Sequence, residues 1–294
     1  TPVFNFAVGE IEDRYDLGVM VTASHNPHPY NGFKLSLARC VPIGSGSGME
    51  DIRDAVLAFD HVFDSNKKAQ SKQDKNVIER YVARIKEKVN LPSDMGAISL
   101  AMDAGNGMSG AVLPEVLKVF PSLNVEKLFW EPNGHFPNHE ANPLKTETLH
   151  DLQRSVVEKQ CLFGVAFDGD ADRVGIIDEK GEQIPGDLLT ALLAKELLAS
   201  HPGSRVLYDP RSSWTTPEVI RELGGEPALC RVGHAHIKKQ MREESALFAG
   251  ELSMHFYFAD FSNCESTDFV MLLILKIVLR ESRPLSEIWK PLRR

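Results

Sequence analysis

The sequence has little cysteine. Its four residues (Cys40, Cys161, Cys230 and Cys264) are far apart, and none forms a Cys-x-x-Cys pair. That excludes a disulfide framework and a thiolate zinc site, and it fits a reduced, cytoplasmic setting. There is no long apolar run. The longest, Phe269 to Leu279, is eleven residues and contains Lys276. It is too short to cross a bilayer and reads as a buried helix, so no membrane partner is expected. Positive charge is not in excess either. A net charge of -8 and a pI near 5.7 argue against a broad nucleic-acid surface, while leaving room for a local basic pocket that takes phosphate. No repeat of fixed period is visible. No signal-peptide pattern is read at the front, and the chain opens on Thr1-Pro2 rather than methionine, so the natural chain is expected to begin earlier.

What is present is a regular alternation of short apolar runs and helical patterns. Leu17 to Thr22 reads as a short buried strand, and Ile98 to Met102, Val125 to Phe129, Val206 to Tyr208, Cys230 to Val232 and Leu247 to Ala249 read as strands. Helices are expected over 49–60, from Asn76 as a cap through Val89, over 111–119, 145–159 and 216–223, and from Gly186 to Ser200 with Asp187 as cap. Asp64 to Lys75 is polar and reads as exposed; Leu91 to Gly96 is the clearest break. Such alternation marks layered α/β domains.

The most informative stretch is Asp168-Gly169-Asp170-Ala171-Asp172-Arg173, set between the apolar runs Leu162 to Phe167 and Val174 to Ile177. Three like charges this close repel by ~1 kcal/mol per pair in water and ~4 kcal/mol at an effective dielectric of 20. A solvated acidic turn is one reading. An oxygen-ligand site for Mg²⁺ or Ca²⁺ is the other, favoured because Asp here interrupts buried strands. Asp168, Asp170, Asp172 and Glu179 nearly match the calcium loop of an EF-hand. Arg173 stands where that loop needs glycine, and the flanks are strands. An aspartyl-phosphate enzyme with Asp168 as nucleophile is a second rival; Asp172 departs from its usual Thr or Val. Arg173 offers a planar fork for phosphate beside the carboxylates, a combination suited to phosphoryl transfer.

A second loop could supply the group that is phosphorylated. Ala23-Ser24-His25-Asn26-Pro27 follows a strand, on a stiffened turn where catalytic groups are often presented. Taken alone, Ser24 reads more readily as an ordinary turn serine. The Gly-rich turn 103–110 matches no nucleotide fingerprint and reads as a tight entry into a helix. His234-Ala235-His236 has zinc-like spacing but no third ligand nearby.

Together these residues resemble the α-D-phosphohexomutases: phosphomannomutase, phosphoglucomutase and phosphoglucosamine mutase. Thr22 to Pro27 looks like the phosphoserine loop, and Asp168 to Arg173 like the metal loop. Gly233-His234 with Lys238-Lys239 resembles the stretch before the sugar loop, and Glu251-Leu252-Ser253-Met254-His255 the sugar loop itself. The resemblance implies tandem three-layer α/β domains with mixed sheets around a cleft. It implies a partial first domain over 1–72, a connecting helix and linker over 73–96, a second domain over 97–184 and a third over 185–294. It implies Mg²⁺ on Asp168, Asp170 and Asp172 with an oxygen of phosphorylated Ser24. His25, Lys34, Arg173 and His255 would assist charge and proton handling, and Arg211, His234, Glu251, Ser253 and His255 would bind substrate. The reaction implied is exchange of phosphate between C6 and C1 of mannose or glucose through a hexose 1,6-bisphosphate. Hexose phosphates are then the expected partners. Part of the first family domain and all of the fourth are expected to lie outside these residues, leaving activity far below that of a complete member, or a non-catalytic remnant. Met254 stands where the family has glycine and is expected to crowd the sugar or to strain the backbone.

Overall fold

The computed structural model describes residues 1–9, 15–60, 76–92 and 94–294. The polar stretch from Asp64 to Lys75 lies outside them. The elements run α1 (Pro2–Gly9), β1 (Leu17–Val21), β2 (Phe33–Leu37), β3 (Val41–Pro42), α2 (Met49–Leu57), α3 (Val77–Val89), β4 (Ile98–Asp103), α4 (Ser109–Val119) and β5 (Leu123–Leu128). They continue with α5 (His150–Glu158), β6 (Gly164–Phe167), β7 (Val174–Ile177), α6 (Gly186–Ser200), β8 (Arg205–Tyr208), α7 (Thr215–Glu222) and β9 (Glu226–Leu229). Last come α8 (His234–Glu243), β10 (Phe248–Gly250), β11 (Phe256–Phe258), β12 (Cys264–Glu265), α9 (Thr267–Glu281) and α10 (Leu285–Trp289).

Two mixed sheets carry the core. One has the order β5-β4-β6-β7, parallel except for the β6–β7 pair. The other has the order β12-β11-β10-β8-β9, parallel where β8 pairs with β9 and β10, antiparallel beyond. Successive strand residues point to opposite faces, and in the inner strands β4, β6 and β10 both faces are buried. Val206 and Phe248 join one apolar core with α6 and α9; their neighbours Leu207 and Ala249 join another with Ile237 and Met241 of α8. In the first sheet Leu100 and Met102 face α3 and α4, while Ala101 faces Leu152 and Val156 of α5. These are helix–sheet–helix sandwiches, as the alternation of elements predicts. The α3/α4 core and the α6/α9 core are continuous, so the two sheets share one interior.

The N-terminal unit differs from the expected pattern. Its sheet, β1-β2-β3, is antiparallel and three-stranded. β1 is not a buried strand: Leu17, Val19 and Val21 are exposed, because α1 covers only the face bearing Gly18. α2 keeps helical spacing but buries none of its residues among those described. Four smaller expectations also change. The strand after α7 is Glu226–Leu229 rather than Cys230 to Val232; it holds a sheet edge, where Pro227 is tolerated. Pro185, not Asp187, precedes α6, and Asp187 instead accepts from the Ser213 amide. Asn76 occupies the cap position of α3 without a side-chain cap bond. The helix expected over 145–159 opens as a 3₁₀ turn, and α5 proper starts at His150.

The N-terminal unit is tied to the third through Asn5, which reaches a buried ion pair inside that unit. Lys238 Nζ lies 2.8 Å from Glu265 Oε2, and Asn5 of α1 donates to the same oxygen at 2.8 Å. Burial alone would raise the Glu265 carboxyl; Lys238 outweighs it and holds the group at about 2. Replacing Glu265 by glutamine leaves the ammonium buried without a counter-charge. The expected loss is about 3–5 kcal/mol, read as a lower urea midpoint. Because the folded pKa lies below the unfolded one, this stability is present above about 4.5 and is lost as pH falls toward about 2. The Glu265→Gln variant should lack that part of the acid transition.

Candidate active site

The site is assembled from loops that leave the carboxyl ends of β1, β4, β6, β8 and β10, the edge where α/β sheets place ligands. Asp168, Asp170 and Asp172 are all buried, and one oxygen from each comes within 4.8 Å of the others. Asp168 Oδ1 accepts the backbone amides of Asp172 and Arg173, which curls the loop. Burial, then the charges of Asp172 and Asp170, push the Asp168 carboxyl well above the usual range. Burial acts on Asp172 in the same sense, but Lys34 and His255 overcome it and hold that group well below. Lys34 Nζ reaches Asp170 Oδ2 at 2.6 Å and Asp172 Oδ2 at 2.5 Å. Asp170 Oδ1 is buried with no partner, and Asp172 Oδ1 has His255 Nε2 at 3.2 Å without an aligned hydrogen bond. An all-oxygen donor set with an orphaned buried oxygen on Asp170 fits a hard divalent cation.

Ser24 arrives beside this cluster from a different unit. Its Oγ lies 3.3 Å from Asp168 Oδ2 and 3.1 Å from His25 Nδ1. Its backbone is left-handed, φ 55°, an unfavourable conformation for serine, held by the Ser24 amide donating to Thr22 Oγ1. Thr22 in turn donates to Asp170 Oδ2 at 2.8 Å, so one hydroxyl couples the serine loop to the aspartate loop. Burial, then the nearby Arg173 cation, lowers the His25 pKa, leaving its ring neutral at pH 7. A cavity of about 420 Å³ opens onto Ser24, with Asn26, His28, Asn133 and Phe136 among its walls. A larger apolar cavity, about 610 Å³ between Val157 and Val278, touches none of these groups.

Gly169 makes the approach possible. A Cβ built there would stand 2.4 Å from the Ser24 carbonyl oxygen. The Gly-rich turn after β4 braces the same residue: Met108 donates its amide to the Gly169 carbonyl, and a Cβ on Gly107 would meet that oxygen at 2.7 Å. The turn thus packs backbone on backbone. Gly169→Ala should displace Ser24 while the chain stays folded; on the resemblance's expectation that Ser24 is phosphorylated, its labelling should slow about 100-fold, measured by mass spectrometry against time.

The remaining expected residues gather on the other side of the aspartates. His255 sits between Asp172 and Glu251, with Nδ1 3.2 Å from Glu251 Oε2 and 3.1 Å from Ser253 Oγ. Burial would lower its pKa, but the two carboxylates raise it to about 10. Arg173 Nε is directed at His255 Nε2 at 3.2 Å, which would need that nitrogen unprotonated. Two full charges against one dipole decide for the imidazolium, so Arg173 and His255 stand as neighbouring cations. Glu251 also accepts from Tyr257 and from the Gly233 amide, beside His234 at the start of α8. Met254 has φ 66°, the strained conformation expected for a residue replacing glycine. Its side chain does not crowd the cleft; it is buried in the core, with its sulfur 3.6 Å from Gln183 Nε2. His236 lies within the first turn of α8, and among the described residues it belongs to no metal-ligand group.

Two residues here escape sequence reasoning. Asp209, fully buried, accepts from the Arg211 amide and guanidinium and from the Leu252 amide at 2.9 Å, tying Arg211 to the Glu251 loop. Thr22 sits inside a motif whose serine draws attention away from it. An Asp-Pro turn and a strand-end threonine are too common to stand out.

With this geometry in view, comparison with known proteins is consistent across the chain. Residues 1–60, 79–181 and 185–294 match the patterns described as phosphoglucomutase/phosphomannomutase alpha/beta/alpha domains I, II and III. A phosphomannomutase of Escherichia coli K12 is 36% identical over 277 residues, 93% of this chain and 60% of that protein. A protein of Xanthomonas campestris pv. campestris B100, named among phosphohexose mutases, is 39% identical over 272 residues, 92% of this chain and 60% of its own. The crystal structure of a phosphoglucomutase/phosphomannomutase family protein from Burkholderia thailandensis superposes with a TM-score of 0.82 at 31% identity, covering 95% of this chain and 59% of that one. The chain therefore spans about 60% of the length of the curated relatives it matches.

Proposed function

The chain belongs to the phosphoglucomutase/phosphomannomutase family, and from that membership we propose that it carries the phosphoryl-transfer centre of a hexose-phosphate mutase. The observation that most supports this is Ser24 Oγ, 3.3 Å from a buried carboxylate of a three-aspartate cluster and 3.1 Å from a neutral imidazole. Ser24 takes phosphate from a hexose 1,6-bisphosphate and returns it to the other hydroxyl of the hexose monophosphate. In the first step the Ser24 O–P bond forms and the sugar O–P bond breaks, and the departing sugar oxygen takes a proton from the protonated His255 and leaves as a hydroxyl. The Ser24 proton passes to His25 Nδ1, whose lowered pKa leaves it free to accept.

Asp168, Asp170 and Asp172 would hold Mg²⁺, which supplies positive charge against the phosphoryl oxygens. Arg173 and Lys34 add fixed cations on the same side. Arg211, His234, Glu251 and Ser253 face the sugar, and Asp209 keeps Arg211 and the Glu251 loop in register. His255, held protonated between its carboxylates, serves as a cation and proton donor rather than as a base.

The test has two parts. Incubation with glucose 1,6-bisphosphate, followed by peptide mass spectrometry, should place one phosphate on Ser24. Initial rates on glucose, mannose and glucosamine 1-phosphates, with bisphosphate primer, should then rank the sugars. Phosphate on no residue, with no turnover of any sugar, would sink the proposal and leave a chain that only binds.

A further inference from the structure

The three aspartates come from one short loop, and their convergence depends on the residue between the last two. Ala171 has φ 60°, the left-handed region that non-glycine residues avoid. This turn allows Asp170 and Asp172 to present oxygens to the same point as Asp168. One end of the strained residue is fixed inside the loop, where the Ala171 amide donates to the Asp168 carbonyl at 3.1 Å. The other end is fixed from outside. Thr267 Oγ1 donates to the Ala171 carbonyl at 2.9 Å, in a buried contact spanning 96 residues of sequence. Among the described residues no other donor reaches that carbonyl.

Thr267 is itself held in place. It is the first residue of α9 and is buried. On either side of it, Ser266 Oγ and Asp268 Oδ2 bond the Tyr81 hydroxyl of α3 at 3.0 and 2.9 Å. A helix of the third unit thus projects one hydroxyl, braced by a tyrosine of α3, onto the strained residue of the aspartate loop. We propose that Thr267 is a positioning residue that sets the affinity of the cation site by holding Ala171 left-handed; this rests on the cation site proposed above.

The test measures cation binding directly. Mn²⁺, a paramagnetic stand-in for Mg²⁺, is titrated into the whole chain and free Mn²⁺ is counted by electron paramagnetic resonance. Thr267→Val keeps the shape and removes the donor, and Mn²⁺ affinity should fall about tenfold, as for other partners that orient ligand loops. Thr267→Ser keeps the hydroxyl and should restore affinity close to that of the unaltered chain. Ala171→Gly relaxes the need for the brace, since glycine adopts this conformation without strain; in that background Thr267→Val should cost no more than about threefold. Equal affinity of the Val variant and the unaltered chain overturns the proposal. So does a Ser variant as weak as the Val variant, which would assign the effect to methyl packing. If the Val variant fails to fold, the Ser and Gly variants still decide: the Ser variant must bind like the unaltered chain, and the Gly variant must bind at least as well. No Mn²⁺ binding by the unaltered chain would instead overturn the cation site itself, and this inference with it.

Discussion

Ser24→Ala should take up no phosphate from glucose 1,6-bisphosphate, and any mutase turnover should fall by about 10⁴-fold or more. The argument is geometric. Among the groups near the aspartate cluster, Ser24 Oγ combines a nucleophilic oxygen with a neutral imidazole at 3.1 Å. Alanine removes the oxygen but leaves Thr22, Asp168 and His25 in place, and its small side chain tolerates the left-handed backbone about as well as serine does. The loop should therefore keep its shape and the cluster should keep its cation affinity, so loss of phosphate uptake reports chemistry and not unfolding. Mn²⁺ titration alongside mass spectrometry checks this separation. The rival route through Asp168 predicts the reverse: a Ser24→Ala chain that is still phosphorylated, with the label on an aspartate. Asp168 is poorly placed for that role. Its Oδ1 is occupied by two backbone amides, and burial with two neighbouring carboxylates favours its protonated form.

How much of this was legible in the sequence depends on whether a residue's role is local. The aspartate loop was readable because three acids interrupt two strands rich in Val, Ile and Phe, a pattern that burial penalises without a cation. The serine loop became readable only through its pairing with that cluster. The helix–sheet–helix layering followed from alternating apolar periods, and Phe269 to Leu279 is the buried helix its composition predicts. Cys230 to Val232 misled because three residues cannot set a period; the strand beside it, Glu226–Leu229, contains proline and looked unsuitable until the sheet order placed it at an edge. β1 looked buried because Leu, Val, Met and Val say nothing about which face a neighbouring element covers. Asp209, Thr22 and Thr267 act across 43, 148 and 96 residues of sequence, and no local pattern encodes such contacts. Met254 shows both sides. Its backbone angle was predictable from the glycine it replaces, whereas the direction of its side chain depended on space beside Gly175 and Gln183.

Asp168→Asn should separate the two consequences of crowding three carboxylates. Asparagine can keep its carbonyl oxygen where Asp168 Oδ1 accepts the amides of Asp172 and Arg173, so the loop retains its curl. Its amide nitrogen then replaces Oδ2, the oxygen nearest Ser24, and presents donors where a cation needs an acceptor. Cation binding should fall by at least about 100-fold and Ser24 phosphorylation with it. Without added metal the sign reverses. The variant puts a neutral group of the same shape where burial and two neighbouring carboxylates already drive the carboxyl toward its neutral form, so the metal-free protein should melt at the same temperature or higher. Thermal melting with and without Mg²⁺ reads both effects. The unaltered chain should gain about 2.7 kcal/mol at a Mg²⁺ concentration 100 times its dissociation constant, and Asp168→Asn should gain almost nothing. A variant stabilised by Mg²⁺ as strongly as the unaltered chain would show that Asp168 is not a ligand. One that melts far lower without metal would show that its carboxylate is held for structure rather than for a cation.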